Sequence, residues 1–136
     1  MEFISIAQQS YILGAFRDLT KICTKISDEH GFNEIDVWLK DNPCKIPNVI
    51  REQLILLLKS QRIALMHSEL SEGLEGIRKP APDHHCPEFP SEVVELADAV
   101  IRIFHYCGSH SIDLGPAVLA KIAYNNGRPI KHGKEF

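Results

Sequence analysis

The chain predicts an all-α fold, a helical bundle of about four main helices. Apolar residues recur at three- and four-residue steps over long stretches, glycine and proline gather between those stretches, and no segment shows a convincing strand pattern. At 136 residues the expectation is a single domain spanning 1–136, with a real but modest core.

From about Ile4 to His30, the residues Ile6, Ile12, Leu13, Phe16, Leu19, Ile22 and Ile26 follow a helical period, and Gly31 is a natural stop. Gly14 weakens this helix by about 1 kcal/mol relative to alanine. Asn33 to Leu39 reads as a short helix, and Lys40-Asp-Asn-Pro43 as a turn. Trp38 sits on this connecting piece, where it could plug one end of the core or offer a flat wall for a nucleobase.

Pro47-Asn48 introduces the central helix, with Asn48 as its expected N-cap and a course from about Val49 to Arg78. Its first half carries apolar residues on more than one side, the pattern of a helix buried broadly in its own domain or in a subunit interface. Lys79 to Pro90 holds four prolines and must be a surface loop. Ser91 is the expected cap of the next helix, Glu92 to about Tyr106, with Val93, Leu96, Ala97, Val100, Ile101 and Phe104 facing the core and Cys107-Gly108 ending it. A last helix starts near Asp113 or Pro116 and stops at Asn126-Gly127.

Two acidic steps stand out on these helices, Glu69-Leu-Ser-Glu72 and Glu95-Leu-Ala-Asp98. Residues three apart share a helix face, so each step presents two carboxylates side by side. Glu69 and Glu72 prolong a stripe through Leu58 and Leu65, and Asp98 lies between Val94 and Ile101. Charge on a buried stripe needs a counter-charge, and an oxygen-ligated divalent cation such as magnesium supplies one. Solvated helix faces would produce the same spacing. The basic complement lies at the C-terminus, where Lys121 and Asn125 share a face and Arg128 and Lys134 follow. Acids for metal and a basic arm for phosphate suggest a metal-chelated polyphosphate as substrate, with solubilising tail charges as the simpler account.

The net charge of -3 argues against a sequence-independent grip on polymeric nucleic acid. No segment approaches the roughly 18 apolar residues of a membrane span, and the start lacks a basic signal region, so a cytoplasmic protein is expected. Cys23, Cys44, Cys86 and Cys107 lack Cys-x-x-Cys spacing and read as reduced thiols. The segments His84-His85-Cys86 and His105 to His110 offer zinc ligand types without finger or ribbon spacing.

Glu69-x-x-Glu72, 22 intervening residues and Glu95-x-x-Asp98 together resemble the signature of the all-α nucleoside triphosphate pyrophosphohydrolases, the MazG-like superfamily. The closing run Lys121-Ile-Ala-Tyr-Asn125-Asn-Gly-Arg128-Pro-Ile-Lys-His132-Gly-Lys134 resembles the ending of phage and bacterial MazG-like members, and His30-Gly31-Phe32 resembles the end of their first helix. One departure is Ser68, where members often carry a further glutamate.

The resemblance implies cleavage of a nucleoside triphosphate between the α and β phosphates, to the monophosphate and pyrophosphate. It implies magnesium, or manganese in its place, held by Glu69, Glu72, Glu95 and Asp98, with Glu72 as our choice of catalytic base. Lys121, Asn125 and Arg128 would hold the phosphates, and the assembly would be a homodimer or homotetramer. Alternatives are a phosphoribosyl-ATP pyrophosphatase of the same fold and a non-catalytic helical binding module. A di-iron bundle needs Glu-x-x-His, which neither Glu69 nor Glu95 begins.

Overall fold

The computed structural model describes residues 3–129. Among them are five helices, α1 (Ile6–Glu29), α2 (Glu34–Asp41), α3 (Asn48–Arg78), α4 (Ser91–Ser109) and α5 (Leu114–Asn126), so the all-α expectation holds. None is long and apolar enough to cross a membrane.

Local chemistry sets most of the helix ends. α1 begins with a capping box in which Ser5 and Gln8 each satisfy the other's backbone N–H. It ends in a Schellman turn: Gly31 takes a positive φ of 77° while its N–H donates to Asp28 and that of Phe32 to Ser27. Arg51 of α3 donates to the carbonyls of Leu39 and Asn42, closing the C-terminal end of α2.

Three boundaries differ from the sequence expectation. Pro47 holds the N-cap position of α3 and Asn48 is already helical, since proline's missing N–H costs nothing at a helix start. Pro90 plays the same part for α4, while Ser91 turns back so that its N–H and hydroxyl both donate to Ala81, pinning the proline-rich loop. Gly108 does not end α4. The helix runs to Ser109 and closes through Ser111, whose φ of 54° replaces the expected glycine turn. Gly108 is there for close approach: a Cβ on it would lie 1.7 Å from the hydroxyl oxygen of Thr24 on α1.

α4 is the central rod, packed against α3 on one side and α1 on the other, while α5 packs chiefly on α1. α3 and α4 run antiparallel, because Gly76 meets Glu92 at one end of the pair and Arg62 meets His110 at the other. At the crossing beside the proline loop, a Cβ on Gly76 would come within 2.8 Å of the Glu92 nitrogen, so this glycine lets the two acidic helices close.

The buried apolar residues among those described are few: Cys23, Leu39, Ala99, Phe104 and Cys107. Phe104 meets Phe16 edge to face at 5.3 Å between ring centroids. The face of α4 expected to point inward is only half covered, with Val93, Leu96, Val100 and Ile101 each exposed over nearly half their surface. α1 and α3 together do not cover this face in a single chain. Leu56 and Leu57 of α3 are likewise exposed, which leaves one side of the broad apolar half of that helix without cover in a single chain.

Candidate metal centre and the adjoining cleft

Antiparallel packing brings Glu69 of α3 opposite Glu95 and Asp98 of α4. One carboxylate oxygen from each of the three lies within 4.8 Å of the others, and this is the one group of potential metal ligands among the described residues. Glu69 is buried, Glu95 and Asp98 half-buried. Burial first, then the charge of Glu72, raises the pKa of Glu95, and burial together with the charge of Glu69 raises that of Asp98. Both shifts express one fact: the fold crowds negative charge where water does not fully screen it.

Glu72 lies outside the close set of three and is exposed, yet near enough to act on Glu95. The stripe from Leu58 through Leu65 therefore leads to one buried acid, Glu69, rather than two. A positive side chain already serves Glu69: the Nε of Arg102, four residues after Asp98, donates to its Oε1 at 2.5 Å. The donor set suits a hard divalent cation, because three carboxylate oxygens converge where burial leaves water little room to screen their charge.

Comparison of the chain with family models, curated proteins and solved structures finds no match.

Beside the acids opens a cleft of ≈ 520 Å³ between the end of α1, α2, α3 and α4. Ile26, Phe32, Ile35, Leu58, Leu65 and Ile101 form its apolar walls, and Asp98 and Arg102 belong to both cleft and acid cluster. At the other end stands a polar network. Arg62 makes a bidentate pair with Asp36 and also donates to Asn33 Oδ1 at 2.9 Å and His110 Nε2 at 3.1 Å. Asn33 Oδ1 further accepts from His105 Nε2 at 2.8 Å and Ser109 Oγ at 3.1 Å, while its amide donates to Asp28. Arg62 falls on the same stripe as Leu58, Leu65 and Glu69, but nothing in the local pattern pairs it with Asp36 and Asn33.

Other sequence candidates lie elsewhere. Trp38 is 47% exposed and does not line this cleft, so it is not a core plug; Leu39, at 3%, is the buried residue of α2. Lys121 and Asn125 are exposed on α5, and Lys121 and Arg128 both lie over the ring of Tyr124. Lys134 falls outside the described residues. His105 and His110, considered for zinc, serve the Arg62 network instead.

A pH dependence follows from that network. A guanidinium only donates, so His110 Nε2 must accept from Arg62 and the ring must be neutral. Burial, then the charge of Arg62, lowers the pKa of both His105 and His110, outweighing Asp28 and Asp36 nearby. The unfolded chain therefore binds more protons than the folded one below about pH 6.5, and these histidines make stability fall as pH drops through that value. Thermal midpoints measured between pH 8 and pH 5 should decline over this range for the wild type and less for His110→Gln.

Proposed function

We propose that the protein is a MazG-like nucleoside triphosphate pyrophosphohydrolase, dependent on magnesium or manganese, that cleaves between the α and β phosphates. The observation that carries this reading is the convergence of Glu69, Glu95 and Asp98 from two antiparallel helices at the edge of a cleft large enough for a nucleoside.

Those three residues would hold the cation, with Glu72 beside them. When bound, the cation would neutralise phosphate charge and acidify a water molecule. Glu72, which is exposed and close enough for its charge to act on Glu95, would accept the proton that such a water loses. The apolar walls of the cleft suit the faces of a base, and the polar network at its far end suits a base edge or a sugar hydroxyl. The family resemblance further implies Lys121, Asn125 and Arg128 as phosphate holders, although none of them lines this cleft.

The exposed Leu56 and Leu57 and the half-covered face of α4 support a homodimer or homotetramer, in which a second copy buries what one chain leaves open.

Purified protein should release pyrophosphate from at least one ribo- or deoxyribonucleoside triphosphate when magnesium or manganese is present, and excess EDTA should stop it. Release that continues in EDTA would contradict the reading. A screen of the common triphosphates also separates this activity from a phosphoribosyl-ATP pyrophosphatase, which would leave all of them intact.

A further inference from the structure

Two arginines line the cleft, and they are in different states. Arg62 is committed by Asp36, Asn33 and His110 together, with its side chain 10% exposed. Arg102 is held through Nε alone, and among the described residues its two terminal nitrogens have no hydrogen-bond partner. Its side chain is 37% exposed against 8% for that of Glu69. The guanidinium is thus the member of the pair that lines the cleft and reaches solvent, and the carboxylate the buried one.

We propose that Arg102 is an exchange residue. It neutralises Glu69 while no cation is present, yields that carboxylate to an entering divalent cation, and then presents its guanidinium to a phosphate oxygen of the triphosphate. The inference rests on the pyrophosphohydrolase reading and adds a positioning residue to it. A buried carboxylate beside two others needs positive charge at every stage. Arginine cannot lose its proton, so while Glu69 is ionised a second cation is what can relieve it of that duty. Once released, its planar fork matches phosphate as well as it matched carboxylate.

Two effects of opposite sign follow. Without Arg102 the empty site should attract a cation more strongly, because no side chain competes for Glu69. The loaded site should hold a triphosphate less strongly. An arginine with a purely structural role would weaken both.

The test measures binding to the full chain without turnover: Mn²⁺ alone by calorimetric titration, then a non-hydrolysable triphosphate at saturating Mn²⁺. For Arg102→Gln the Mn²⁺ Kd should fall roughly tenfold and the triphosphate Kd should rise roughly tenfold, the scale of one charge-assisted hydrogen bond. Arg102→Lys keeps the charge without the fork, so its Mn²⁺ affinity should stay near wild type and its triphosphate affinity should fall between the two. Arg102→Gln that retains helical circular dichroism and binds Mn²⁺ no more tightly than wild type overturns the inference alone. If Arg102→Gln unfolds without cation, refolding on added Mn²⁺ supports the exchange. If it stays unfolded, the lysine variant decides, and wild-type triphosphate affinity there overturns the proposal. Wild-type protein that binds no Mn²⁺ overturns the pyrophosphohydrolase reading and this inference with it.

Discussion

Asp98→Asn should lower pyrophosphate release by roughly 10²–10³-fold while leaving the helices in place, since it would delete one charged ligand of the proposed site and adds no volume. The same substitution should leave the cation-free protein as stable as wild type, or more so. Burial and the charge of Glu69 raise the pKa of Asp98, which means that the fold disfavours its ionised form. A neutral amide removes that repulsion. The sign agrees with proton linkage: a carboxyl whose pKa rises on folding binds more protons in the native state, so its contribution weakens as pH climbs from about 4 through the raised value. Magnesium should raise the thermal midpoint of the wild type and do so much less for Asp98→Asn, because ligand that binds only the folded form must stabilise it. Collapse of the helical circular dichroism signal would instead make Asp98 a structural residue and remove the centrepiece of the proposed site.

Arg62→Met should cost the most stability of any single change considered for this chain. Breaking a fully buried pair by removing one partner costs about 3–5 kcal/mol, and with the Asp36 side chain 25% exposed the cost here should lie at the lower end of that range. Here the orphan is Asp36, and Asn33 and His110 lose a donor as well. We expect the thermal midpoint to fall by roughly 10–20 °C. The double variant Arg62→Met/Asp36→Leu should recover a large part of that loss by removing the unpaired carboxylate. A single variant that melts within about 2 °C of wild type would show that the network is dispensable. The consequence for function is geometric. The network ties the end of α1 and the start of α2 to α3 and α4, and those four segments are the walls of the cleft. Loss of Arg62 should therefore weaken nucleotide binding even where the protein remains folded.

The helical class, the order of elements and the proline-rich loop were legible because they depend on local chemistry. Apolar period, glycine after α1 and proline before α3 and α4 act within a few residues of chain. The pairing of Glu69 with Glu95 and Asp98 was half legible, since spacing places acids on one face of each helix but cannot bring two helices together. Gly108 shows the limit clearly. It reads as a terminator in sequence, and only the nearness of Thr24 explains why α4 carries it without stopping.

By itself the sequence determined which helices form, which faces carry acid, and that the basic residues gather at the C-terminal end. Tertiary structure decided which of those groups meet. It put Glu72 in solvent beside a buried Glu69, gave Arg102 to Glu69, and joined Asp28, Asn33, Asp36, Arg62, His105 and His110 across four segments. The reason is physical: helix periodicity acts over a few residues, whereas the cost of burying a charge is settled by whatever chain packs against it, however distant in sequence.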